Sequence, residues 1–161
     1  HPSVREPCAG CAGRRSHGRS MVTKGSERWL IDKSAYVRLP SSPDLDLWIG
    51  RINRGLVSVA AVSLLEIGYS ARSGTDWEHL IEEPPISLLV REPMTLRAEE
   101  RMVEVQALLA LRGYHRVVKV PDLMIAAVAE DARCTLLHVD KDFDLIADVT
   151  GQAVQRLSGT F

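Results

Sequence analysis

Four acidic residues stand where apolar segments end or turn: Asp32 after Trp29, Leu30 and Ile31; Glu66 inside the run from Ala61 to Tyr69; Asp122 after Pro121; and Asp140 after the run from Thr135 to Val139. Short apolar runs become buried elements, so acids at their ends are held at element termini rather than scattered over a surface. If those ends converge, the carboxylates repel one another and are driven toward protonation unless a cation neutralises them. A donor set of oxygens without His or Cys suits a hard divalent ion, Mg²⁺ or Mn²⁺. Such an ion keeps waters that can be activated for in-line attack on a phosphodiester while the departing oxygen is stabilised. The chemistry these residue types point to is metal-dependent phosphodiester hydrolysis.

Each acid also has an ordinary structural reading. Asp122 after Pro121 fits a helix N-cap, an Asp after a strand fits a turn, and Glu66 three residues after Ser63 fits a capping box. Their conjunction is what favours a site. The run Asp140-Lys141-Asp142-Phe143-Asp144 begins like an EF-hand loop, but its sixth position is Leu145 instead of Gly and its twelfth is Gly151 instead of Glu, which removes that reading. Asp142 is read as a helix cap in preference to an auxiliary metal ligand, and Asp144 with Asp148 as a solvated helix face.

The elements that must carry these acids follow from pattern and punctuation. Strands are expected over 28–31, 56–59, 86–90, 135–139 and 153–157, where apolar and β-branched residues cluster. Helices are expected around 34–38, 45–54, 63–72 (opened by the Ser63 and Glu66 capping box) and 76–83. The longest helix runs from Thr95 to Leu111 and closes at Gly113; another opens at Asp122 as its acidic N-cap, and a short one covers 142–148. Strands alternating with helices define an α/β layer fold around a mostly parallel sheet, with ligands expected at the carboxyl ends of the strands.

With 161 residues, 45% of them apolar and 25% charged, the chain can bury the core of one soluble domain and is neither a disordered tail nor a fibre. The formal net charge of -1 means that a nucleic-acid partner must be held by a local patch. No apolar stretch approaches the roughly 18 residues of a membrane span. The segment over 1–27 is rich in Gly, Ser, Pro and Arg and is read as a flexible leader, and 28–161 as the folded domain. Its Cys8 and Cys11 are a lone pair without the second pair a zinc site needs. With only Cys134 besides, no disulfide framework forms, which points to a reducing, cytoplasmic compartment.

Four segments in this order, WLIDKSA, VSLLEIGYSA, VPDLMIAAVAE and LLHVDKDFDLIA, resemble the acidic motifs of PIN-domain ribonucleases, and most closely the VapC toxins of bacterial VapBC toxin-antitoxin modules. The resemblance covers the chain from about Arg28 to about Leu157. It implies a three-layer α/β/α sandwich, RNA cleavage with Mg²⁺ or Mn²⁺, a homodimer, and neutralisation by a VapB antitoxin. Carried over by motif, Asp32, Glu66, Asp122 and Asp140 are the catalytic acids and metal ligands, with Asp142 a further ligand. The chain departs from the family in having Lys33 where Thr or Ser commonly follows the first aspartate, so the supporting hydroxyl is matched only by Ser34. Lys33 is read as pointing to solvent rather than to a phosphate.

Arg112, His115, Arg116 and Lys119 cluster before the Asp122 helix and Lys141 lies within the last acidic segment, a set suited to RNA phosphates and equally to a solvated loop. Trp29, Trp48 and Trp77 are scattered and read as core or dimer contacts rather than base-stacking platforms. A phosphotransferase on a similar sheet would need a D-x-D arrangement after the first strand, where this chain has Asp32-Lys33-Ser34. A non-catalytic RNA-binding or interaction module, the remaining alternative, would be marked by loss of one or more of the acids, and all four are present.

Overall fold

The structure, a computed structural model, describes residues 27–161. The reading of 1–27 as a flexible leader and of Cys8 and Cys11 as a disfavoured zinc pair therefore lies, but for Glu27, outside the described residues. Among the described residues, five strands form one sheet: β1 (Trp29–Ile31), β2 (Val57–Ala60), β3 (Val90–Glu92), β4 (Thr135–His138) and β5 (Val154–Arg156). Their order is β3-β2-β1-β4-β5 and every pairing is parallel. The helices are α1 (Lys33–Tyr36), α2 (Leu45–Asn53), α3 (Ala61–Tyr69), α4 (Gly74–Glu82), α5 (Leu96–Leu111), α6 (Val120–Asp131) and α7 (Lys141–Thr150). Among the described residues no helix is long and apolar enough to cross a membrane.

Side chains alternate across a strand, and the core divides accordingly. Leu30, Ala60 and Leu136 face one layer with Val105 and Leu109 of α5, Leu123 of α6, and Phe143 and Ile146 of α7. Their neighbours Ile31, Val59 and Leu137 face the other, with Ala35, Trp48, Ile52, Leu64 and Ile81 from α1 to α4. The result is the three-layer α/β/α sandwich. Phe143 and Ile146, both fully buried and three residues apart, fix α7 on the sheet, and burying each is worth about 2 kcal/mol. Trp48 is buried and meets Trp29 edge-to-face at 5.5 Å, with the Arg51 guanidinium 4.0 Å from the Trp29 ring centroid and 4.5 Å from that of Trp48. These two tryptophans belong to the packing, as expected. Trp77 is partly exposed and packs against Gly68 of α3, where an added Cβ would meet the indole at 2.5 Å.

Four expectations are corrected. Residues 86–90 are not a strand: Ile86–Leu88 form a 3₁₀ turn that buries Ile86 and Leu89 three apart, and pairing begins only at Val90. Ser63 and Glu66 are not a capping box, because α3 starts two residues earlier, directly off β2, with Ala60 at its N-cap and Ser63 buried within the helix. That helix also ends at Tyr69 rather than Arg72. Asp122 is not an N-cap: α6 starts at Val120 with Lys119 at the cap position, and Pro121 in the first turn sacrifices no hydrogen bond.

Candidate active site

The chain runs from β1 outward through β2 to β3, then returns to place β4 on the other side of β1, so strand order reverses between β1 and β4. At such a reversal the loops leave in opposite directions and open a crevice at the carboxyl ends. Asp32 follows β1 and Asp140 lies just beyond β4. The Asp32 backbone N–H donates to the Leu137 carbonyl at 3.0 Å, which stitches the two strand ends together.

Local chemistry fixes each acid. Asp32 is buried, and its Oδ2 accepts the Ser34 backbone N–H at 2.8 Å, capping α1. Ser34 Oγ in turn accepts the backbone N–H groups of Val139 at 3.0 Å and Asp140 at 3.3 Å. Asp140 caps α7, its Oδ1 accepting the Asp142 N–H at 3.1 Å. The expectation that Asp142 is the cap is thus corrected, since Asp140 takes that place and Asp142 falls in the first turn, buried against the site. His138, fully buried in β4, donates its Nδ1–H to the Asp140 carbonyl at 2.7 Å, and burial holds its pKa below the usual value. Asp122 is the third residue of α6 and is buried, facing the same crevice.

Ligand oxygens of Asp122, Asp140 and Asp142 all lie within 4.8 Å of one another. Asp122 Oδ2 and Asp142 Oδ2 are buried and accept no hydrogen bond. Burial, moderated by Lys119 and reinforced by the carboxylates of Asp32, Asp140 and Asp142, pushes the Asp122 carboxyl up to about 7. At Asp140 burial acts in the same sense, but the Asp142 N–H and the Lys119 ammonium outweigh it and hold the carboxyl below its ordinary range. Orphaned acceptors, oxygen-only donors and mutual repulsion are what a hard divalent ion would relieve, so these residues fit Mg²⁺ or Mn²⁺.

Glu66 stands at the rim on α3, outside the close triad. Burial and the Asp32 charge raise its pKa, against the lowering effect of Lys33 and Lys119. The solvent reading of Lys33 is corrected: its Nζ donates to the Glu66 carbonyl at 2.9 Å and ties α1 to α3. Lys33 and Glu66 line a cleft of about 300 Å³ with Val62, Leu65 and Tyr69.

Of the basic candidates, Arg112, His115 and Arg116 are exposed on the loop between α5 and α6, while Lys119 reaches into the acids, its Nζ 3.2 Å from Asp140 Oδ2. Lys141 lies on the other flank of Asp140, in a cleft of about 320 Å³ with Ser34, Arg38, Val139 and Arg156. Sequence reasoning missed Arg38 and Arg156, because nothing local marks a residue just after α1 and one of β5 as neighbours. Asp144, half-exposed, pairs with Arg156 at 3.4 Å.

The chain belongs to the PIN-domain family, whose model, described as PIN domain, matches residues 30–149. Within that family it is 54% identical over 132 residues to Ribonuclease VapC2 of Mycobacterium tuberculosis, an alignment that spans 82% of this chain and 94% of that protein. Ribonuclease VapC51 of the same species is 39% identical over 129 residues, covering 80% and 91%. Among solved structures, a chain of the DNA-bound VapBC complex from Salmonella typhimurium shares the fold with a TM-score of 0.65 at 17% identity, covering 80% of this chain and 97% of that one.

Proposed function

We propose that the protein is a divalent-metal-dependent endoribonuclease, a toxin of the VapC kind held in check by a VapB-type antitoxin. The observation that carries this reading is the close acid triad with its two buried, unpartnered oxygens. Support comes also from the relatives named ribonuclease and from the VapBC complex that shares the fold.

Asp32, Asp122, Asp140 and Asp142 would hold Mg²⁺ or Mn²⁺, with Glu66 at the rim. The bound ion supplies positive charge to an RNA phosphate and lowers the pKa of a coordinated water. The protein's own groups do the rest. Ser34 and His138 hold the backbone around Asp140, so that its carboxylate and that of Asp142 stay aimed at one point. Glu66, partly exposed at the rim with its pKa raised by burial and by the Asp32 charge, is suited to take a proton at its carboxylate. Arg112, His115 and Arg116 on one flank, and Lys141 with Arg38 and Arg156 on the other, are placed to bind phosphates along the RNA on either side of the acids.

The test is incubation of the purified protein with a mixed RNA pool in Mg²⁺ or Mn²⁺ and in EDTA. Cutting that needs the metal supports the reading. Intact RNA with folded, metal-loaded protein contradicts it and favours a binding module.

A further inference from the structure

Lys119 places an ammonium in the middle of the acids. Its Nζ is 3.2 Å from Asp140 Oδ2, 3.6 Å from Asp142 Oδ2 and 3.9 Å from Asp122 Oδ2. These three residues are the ones whose ligand oxygens cluster within 4.8 Å. A hard dication draws such oxygens to about 2.0–2.5 Å, so it would share that small space with the ammonium. Two cations a few ångströms apart in a partly buried site repel strongly.

The ammonium also leaves the site unbalanced. Only Asp140 accepts its hydrogen bond, while Asp122 Oδ2 and Asp142 Oδ2 have none. One positive charge therefore does not satisfy the acids gathered there, and a doubly charged ion does so better. Lys119 is free to yield: it sits at the N-cap position of α6, makes no capping bond, and its side chain is 65% exposed on a flexible stem.

We propose that Lys119 is a resident counter-ion of this site, held by Asp140, Asp142 and Asp122 in the metal-free protein and displaced toward solvent when a divalent cation enters. The inference rests on the metal-site reading above. Because the cation must compete with the ammonium, its apparent affinity is reduced by the fraction of molecules in which Lys119 is engaged. The acids are in this way kept together before metal arrives, at a cost in metal affinity.

The experiment is a titration of the full chain with Mn²⁺ alone, following free Mn²⁺ by electron paramagnetic resonance, for the wild type, Lys119→Met and Asp122→Asn. Methionine keeps the aliphatic stem and removes the charge. Lys119→Met is expected to bind Mn²⁺ about tenfold more tightly than wild type, and to unfold at a lower temperature than wild type in EDTA but not at saturating Mn²⁺. Labelling of Lys119 in the wild type by an amine reagent is expected to increase several-fold on saturation with Mn²⁺. Equal or weaker Mn²⁺ binding by Lys119→Met, with wild-type binding intact and lost in Asp122→Asn, would overturn the counter-ion role and leave the metal site standing. No Mn²⁺ binding by any variant, or binding indifferent to Asp122→Asn, would overturn both.

Discussion

Ser34 Oγ accepts the backbone N–H of Asp140 at 3.3 Å, across 106 positions of sequence. With the matching bond from Val139 at 3.0 Å, one hydroxyl on α1 holds the turn from β4 into α7 against the end of β1. Asp32 is two residues from that hydroxyl, so the relation sets the spacing between the acids of two strands. Ser34→Ala leaves two backbone donors without an acceptor at a mostly buried position, which costs about 1–3 kcal/mol. Chemical denaturation should show that loss together with weakened RNA cleavage, and Ser34→Thr, which retains a hydroxyl, should recover most of both. Wild-type stability in Ser34→Ala would show that the clamp is dispensable.

The Asp122 carboxyl is raised from its ordinary 3.8 to about 7, first by burial and then by its acidic neighbours. The folded chain thus holds this proton more tightly than the unfolded one. The associated stability is full below the unfolded pKa and is lost as pH rises through about 7. In EDTA, wild-type protein should lose stability between roughly pH 4 and 8, and Asp122→Asn, with nothing to titrate there, should lose less. Thermal unfolding across that range measures both. Parallel curves for the two proteins would contradict the assignment of the strain to Asp122.

How much of this was legible in the chain depends on whether a residue's role is local. The order of elements and the parallel sheet follow from apolar runs and their punctuation, and Thr95 caps α5 through the Ala98 N–H as its position foretells. β3 was misplaced because its inward residue is Glu92, which pairs with Arg28 and Ser58, while the apolar run just before it is wound into a 3₁₀ turn. Asp32 and Asp140 are visible just after apolar strands, Asp122 after Pro121, and Glu66 as a lone acid inside an apolar run. Asp142 reads as a cap from sequence, but Asp140, two residues earlier, takes the cap and leaves it free to face the site. The place of Lys119 had a signal that went unused: three residues before Asp122, it lies on the same face of the start of α6. Arg38 and Arg156 had no local signal, since only the folded sheet brings them beside Asp140.

Arg112 and Arg116 are exposed on the loop that leads into Lys119. Each phosphate they engage releases counter-ions, so replacing both with Ala should weaken RNA binding in EDTA at low salt and flatten the slope of log affinity against log salt by about 1 to 2. Filter binding or anisotropy over a salt series measures this. An unchanged slope would place the RNA elsewhere, with the cleft of Arg38, Lys141 and Arg156 next in line.

The gathered acids are proposed to hold a divalent ion that RNA cleavage needs, and Asp32→Asn removes one charge from that set. Asparagine keeps an oxygen that can accept the Ser34 N–H and so retains the α1 cap, while removing one negative charge from the site. Cleavage of the RNA pool in Mn²⁺, measured beside wild type and with circular dichroism to show an unchanged fold, should fall at least about a hundredfold. Cleavage at the wild-type rate by folded Asp32→Asn protein, with Mn²⁺ affinity unchanged, would contradict that proposal.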